Sequence, residues 1–195
     1  PSTITDPLNR DIDGDGIIDG EEDADHNGRL DSGETDANQV NVFHSILFVD
    51  DDGGDTCESY FVNALDANGY EYSIWDVAHV GSSPTAQILS YYTVVIWNTG
   101  YIYYASNSGL EQNEQEAIAQ YLDQGGNIFI SGQDILYNGL TSDFQTNYLH
   151  VSDYDEDGGS DVSVGIIDDP ISRGMNLILT YPFSNHSDTI VPDQE

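Results

Sequence analysis

Hydrophobic and polar positions divide this chain near residue 40. From residue 44 onward, short apolar runs alternate with amphipathic stretches. "SILFVD" (45–50), "TVVIWN" (93–98) and "NIFISG" (127–132) are runs of strand length bounded by polar turn residues, the pattern of strands buried in a sheet. "YEYSIWDV" (70–77) alternates and predicts a further strand. Between them lie helical patterns. In "TCESYFVNALDANG" the residues Cys57, Phe61, Ala64 and Leu65 share one helical face, and Gly69 suits the position just past the helix end. "SSPTAQILSYY" predicts a helix with Ser83 as N-cap and Pro84 in its first position. "SGLEQNEQEAIAQYLDQGG" offers Ser108 and Glu111 as a capping box and stops at Gly125 and Gly126. A shorter helix around 142–149 and a fifth strand around 162–167 follow.

Strand–helix alternation of this kind predicts an α/β domain over residues 41–195, a doubly wound, mostly parallel sheet joined by right-handed crossovers. Sites in such sheets form outside the C-terminal strand ends. Those ends are "DDDGGD" (50–55), "NTGY" (98–101) and "SGQD" (131–134).

Residues 1–40 carry no such pattern and read as a separate, irregular segment. Charge explains why. The chain of 195 residues has 36 Asp and Glu against 3 Arg and no Lys, a net charge of −33. Nucleic acids and anionic membrane surfaces need clustered Lys and Arg, so neither is expected as a partner, and cations are favoured instead. An acid-rich surface of the halophile kind is a second reading of the charge. It leaves unexplained why ten carboxylates fall within residues 11–34. The 38% hydrophobic content suffices for a core. No apolar run reaches the 18 residues of a membrane span, and a single cysteine permits no internal disulfide. The opening "PSTITDPLNR" is not a signal peptide and reads as the interior of a longer product.

Residues 11–34, "DIDGDGIIDGEEDADHNGRLDSGE", repeat one pattern twice. The calcium-loop rule places Asp or Asn at positions 1, 3 and 5, Gly at 6 and Glu at 12. The first copy supplies Asp11, Asp13, Asp15, Gly16 and Glu22, the second Asp23, Asp25, Asn27, Gly28 and Glu34. Asp19 and Asp31 occupy position nine, and the carbonyls of Ile17 and Arg29 serve at position seven. Ca²⁺ takes about six to eight oxygens, so alternate side chains converge on the ion while the glycines permit the turn. An acidic disordered linker would not place both glycines and both glutamates in phase. An EF-hand needs a helix on either side of each loop. Here no residue separates Glu22 from Asp23, and the preceding segment is polar and contains Pro7, so an EF-hand pair is excluded. With ten carboxylates and Arg29 the segment carries −9, which two Ca²⁺ reduce to −5, and its folding is expected to require the ions.

The loop pair resembles the calcium repeats of the thrombospondin type 3 class over roughly residues 8–38. That resemblance implies an extracellular or cell-surface setting and a stiff spacer between domains. From 44 to about 180, "ILFVDDDGG", "VVIWNTG", "YLDQGGNIFISGQD" and "DDPISRGM" resemble flavodoxin-like domains related to class I glutamine amidotransferases and the ThuA group. That resemblance implies further strands beyond "DDPISRGM", so the domain is expected to be incomplete at its C-terminus, with its sheet completed from elsewhere or by a neighbouring subunit.

Candidate chemistry at the strand ends is sparse. Cys57 lies on a helical face, where a buried structural thiol is the ordinary reading. Ser131 follows a strand but lacks the glycine two residues earlier of a nucleophile elbow, and His150 is a distant base at best. Asp50, Asp51 and Asp52 could hold a cation or form a solvated strand end. A receiver-type phosphoryl site would need an Asp where Asn98 stands, and a Lys. A second acidic loop, with Asp153, Asp155, Asp157 and Asp161 at positions 1, 3, 5 and 9, lacks the final Glu and is a weaker candidate for a third ion. Tyr101, Tyr103 and Tyr104 suit either protein or glycan contact or a place over the sheet edge, and Asn185 opens a glycosylation sequon. The expectation is a non-enzymatic, extracellular calcium-binding module for adhesion or structure, within a larger surface protein and in its sharper form a homo-oligomeric fibre or layer. The rival is a hydrolase on a glutamine amidotransferase-like fold.

Overall fold

A computed structural model of the chain describes residues 5–15, 17–23, 26–31, 34–41, 43–101, 109–133, 135–137, 139–155, 162–178 and 189–193. The acidic segment contributes one turn of helix, α1 (Asp19–Glu22). The rest runs β1 (Ile46–Asp50), α2 (Glu58–Ala67), β2 (Tyr72–Asp76), α3 (Val77–Val80), α4 (Ala86–Ser90), β3 (Val94–Asn98), α5 (Gln112–Asp123), β4 (Asn127–Ser131), α6 (Ser142–Asn147), β5 (Val151–Asp155), β6 (Val162–Val164), β7 (Asn176–Ile178) and β8 (Thr189–Pro192).

Four parallel strands form the central sheet in the order β2-β1-β3-β4. Parallel neighbours cannot be joined by a tight hairpin, and α2 and α5 provide the crossovers after β1 and β3. The order reverses between β1 and β3, consistent with a flavodoxin-like α/β arrangement. Leu47 and Val49 of β1 and Val95 and Trp97 of β3 point to one face, where they meet Leu89 of α4 and Ile118 and Tyr121 of α5. Each such buried side chain contributes about 1.5–3 kcal/mol. Phe48 points to the other face and stacks on Phe61 of α2 at 5.3 Å. In the same row, Ile74 of β2 beside it and Phe129 of β4 beyond Ile96 are 52% and 54% exposed. One face is therefore covered most deeply over β1 and β3, with Trp75, Ile128 and Ile130 of the edge strands partly buried beside them, and the other face is covered only at its centre.

The four strands, α2 with Gly69 at φ +72°, and the helix before Gly125 lie where the apolar pattern puts them. Three local expectations need correction. Ser83 is not an N-cap: Thr85 caps α4, its hydroxyl accepting from the N–H of Ile88 at 3.3 Å. Ser83 donates instead to Glu114 of α5, and Pro84 is buried. Helix α5 starts later than expected, with Glu111 as N-cap and its N–H donating to the Glu114 carboxylate at 2.6 Å; Ser108 lies outside the described residues. Residues 162–164 do not extend the sheet. They pair antiparallel with β7, and β5 pairs antiparallel with β8. An alternating run states that a strand forms, not which strand it meets.

Gly126 shows how tightly α5 closes on the sheet. A Cβ there would stand 2.3 Å from the ring of Tyr121, which is 2% exposed and whose hydroxyl accepts from the N–H of Asn127 at 3.1 Å. Gly126→Ala is expected to destabilise the domain by about 1–3 kcal/mol, the usual range for overpacking, as measured by urea unfolding.

Candidate metal centre

In the first loop, short-range bonds bend the chain around its own carboxylates. Asp11 accepts from Gly14 N–H at 2.7 Å, Asp13 from Asp15 N–H at 3.2 Å, and Asp15 from Ile17 N–H at 2.8 Å. Gly14 takes φ +79°, which a side chain would resist. The outcome is that one carboxylate oxygen each from Asp11, Asp13 and Asp15 lies within 4.8 Å of the others. Asp19 is turned to the loop backbone and accepts from Ile12 N–H at 2.9 Å.

Helix α1 ends in Glu22, which is not among the three converging carboxylates but lies close enough to feel the charges of Asp13 and Asp15. Glu22 is 2% exposed. Its Oε1 accepts from the hydroxyl of Thr35 at 3.0 Å and the side-chain amide of Asn41 at 2.8 Å. Its Oε2 is buried without a partner, and so is Oδ2 of Asp13. Burial, followed by the charges of Asp13 and Asp15, pushes the Glu22 carboxyl up from 4.5 to about 7. Asp13 is also raised, by burial first and then by Asp15, Asp11 and Asp19. A buried carboxylate oxygen without a donor is costly unless a cation meets it. A donor set made only of oxygens suits a hard cation, Ca²⁺ or Mg²⁺.

The second loop is closed differently. Asp23 accepts from Asn27 N–H at 3.0 Å and Gly28 N–H at 2.7 Å, and Gly28 takes the φ of +75° that the turn demands. The side-chain amide of Asn27 donates to Asp31 at 2.7 Å, and Glu34 accepts from Asp31 N–H at 2.9 Å. Arg29 is exposed. Asp25 lies outside the described residues.

A second acidic cluster forms at the end of β1, where Asp50, Asp52 and Glu58 bring oxygens within 4.8 Å of one another. Asp52 is 1% exposed and accepts from Gly54 N–H at 2.9 Å and from Cys57 Sγ at 3.2 Å. Gly100, at φ +71°, lies so close that a Cβ would be 2.7 Å from that of Asp52. Burial and then Asp52, Glu58 and Asp76 push Asp50 up to about 7. Asp51 faces the opposite way. It accepts from Trp97 Nε1 at 3.0 Å, and burial followed by Glu114 raises it to about 7. Among the described residues, two clusters could therefore hold a metal ion.

Sequence reasoning found Asp50 and Asp52 but not Glu58, which opens α2 six residues after Asp52. It also missed Thr35 and Asn41, whose bonds to Glu22 span 13 and 19 residues and follow no loop rule. Asp153 and Asp155 lie in β5, exposed and paired with β8, while Asp157 and Asp161 lie outside the described residues, as do Tyr103, Tyr104 and the Asn185 sequon. The Tyr101 hydroxyl donates to Asp55 at 2.8 Å. Among the described residues no helix is long and apolar enough to cross a membrane.

Cys57 is not on a buried apolar face. It is the half-buried N-cap of α2, its sulfur also accepting from the Asn98 side-chain amide at 3.2 Å. Burial first, and then the bond to the Asp52 carboxylate, push the thiol up from 9.0 to about 11 despite the Asn98 amide. At pH 8 the reactive thiolate is then about one hundredth as abundant as in a free thiol of ordinary pKa, and alkylation by iodoacetamide, followed by mass spectrometry, is expected to slow by about that factor. Ser131 ends β4, its carbonyl accepting from Thr99 N–H at 2.9 Å, and His150 pairs with Asp193 at 3.0 Å beside β8.

Neither a protein-family model, nor a curated protein, nor a solved structure matches this chain.

Proposed function

We propose that this chain is a non-enzymatic, extracellular calcium-binding module. A thrombospondin type 3-like pair of loops binds two Ca²⁺ and holds a flavodoxin-like domain in a larger surface protein. One observation carries this reading: buried Glu22, with an unpartnered oxygen, stands at position 12 of the loop whose Asp11, Asp13 and Asp15 already converge. Ca²⁺ rather than Mg²⁺ follows from the number and spacing of the ligands, since Mg²⁺ keeps most of its waters and rarely takes an all-protein cage. The raised thiol of Cys57 speaks against that residue as a cysteine nucleophile, which needs a lowered pKa.

Limited proteolysis with and without chelator tests this function. With Ca²⁺ the segment 11–34 is expected to resist cleavage, and with chelator to be cut first. An unchanged pattern contradicts it. Assembly into a fibre or layer is the sharper form of the proposal. Electron microscopy of the intact natural protein is expected to show ordered polymers when Ca²⁺ is present, and monomers alone would contradict that form.

A further inference from the structure

The first loop is not a free-standing spacer. Ile17, at loop position seven, is 3% exposed. With Glu21 and Thr35 it forms one wall of a groove of about 440 Å³ whose other wall is Pro84, Ile88 and Tyr91 around α4 and Ala117 of α5. The chain leaving the second loop then returns across the first. Thr35 and Asn41 bond to Glu22, and Asn41 N–H donates to Oδ2 of Asp15 at 2.7 Å. Two residues further on, Phe43 stacks on Tyr91 at 4.8 Å and meets Tyr92 edge-on at 5.4 Å. Tyr92 belongs to the domain core. The converging carboxylates are therefore tied, through Thr35, Asn41 and Phe43, to the aromatic pair at the end of α4.

We propose that ion binding in the first loop and docking of these residues on the α4–α5 face are one coupled unit, so that the ion locks the segment onto the α/β domain and its loss releases it. The proposal rests on the metal-binding reading above and adds what that binding regulates. The coupling has a physical cause. Asp13, Asp15 and Glu22 are crowded, partly buried and of like charge, and without a cation their repulsion favours an open loop. An open loop withdraws Ile17 from the groove and strips Asn41 of its acceptors on Asp15 and Glu22. Coupling is reciprocal, so weakening the docking must weaken the ion by the same factor. Tyr91 lines the groove together with Ile17, Glu21 and Thr35, which places that side chain at the junction.

The test uses the full chain. Amide hydrogen exchange of the wild type is followed with CaCl₂ and with chelator, and calcium affinity is measured for wild type and Phe43→Ala. The expected result is faster exchange in α4, the start of α5 and residues 35–43 on chelation, with β1 and β3 unchanged. Phe43→Ala, which removes no proposed ligand, is expected to weaken one calcium site about tenfold and leave the other unaffected. Calcium binding with unaltered exchange at α4 and α5 overturns the coupling and leaves the metal site standing. Absence of calcium binding overturns both. If Phe43→Ala fails to fold, the wild-type exchange result decides alone.

Discussion

Glu22→Gln is expected to lower the calcium affinity of the first loop by about 100-fold and leave the second loop unchanged. Loss of a partner that merely orients a metal ligand costs about 10–100-fold, and Glu22 is proposed as the closing ligand itself, so its loss belongs at or beyond the upper end. The same substitution should have the opposite effect without metal. Glutamine keeps an oxygen for Thr35 and Asn41, and places an uncharged amide where the unpartnered Oε2 of Glu22 now sits beside Asp13 and Asp15. In chelator at pH 8, Glu22→Gln is therefore expected to be more resistant to proteolysis over residues 11–34 than the wild type. A residue important only for packing would not invert in this way. Isothermal titration and proteolysis of the two proteins in parallel check both arms.

The second large effect is on pH. Burial and the neighbouring Asp13 and Asp15 hold the Glu22 carboxyl at about 7, above its ordinary 4.5. Below about pH 7 a proton must leave before the ion can bind, so calcium affinity is expected to fall about tenfold per pH unit there and to level off above it. Close to one proton should be released for each ion that enters the first loop at pH 6, and almost none at pH 8.5. Titrations in buffers of different ionisation enthalpy measure that number. The metal-free segment responds in the opposite sense. Its folded state holds the Glu22 proton more tightly than the unfolded chain does. That contribution is fully present below about pH 4.5 and is lost as the pH rises through about 7. Asp13, raised in the same direction, adds to the trend. Glu22→Gln should flatten both profiles.

The sheet was legible because its information is local. "SILFVD", "TVVIWN" and "NIFISG" are too apolar to lie anywhere but between helices, and the helical patterns between them leave parallel pairing as the natural solution. What escaped was tertiary. Ser83 and Thr85 are both acceptable caps by composition, but α4 begins at Ala86, so Thr85 caps it while Ser83 donates across to Glu114 of α5. The run at 162–167 has the right alternation, but its partner, β7, is set by a return of the chain that no period encodes. The candidate site divides in the same way. Loop spacing marked Asp11, Asp13, Asp15 and Glu22. It could not show that Glu22 is buried, that Asn41 bridges Glu22 and Asp15, or that Phe43 then anchors on Tyr91. At the end of β1 the run Asp50 to Asp52 drew notice as a block, yet strand alternation sends Asp51 toward Trp97 and leaves Asp50 and Asp52 to meet Glu58.

The central claim is that the acidic segment is a set of defined ion sites rather than a diffuse field of negative charge. Calorimetric titration of the metal-free chain with CaCl₂ at pH 8, beside Glu22→Gln, tests it most directly. The prediction is saturation near two ions per chain, with one of them weakened about 100-fold in Glu22→Gln. Weak binding that never saturates, and that the substitution leaves unchanged, would contradict it.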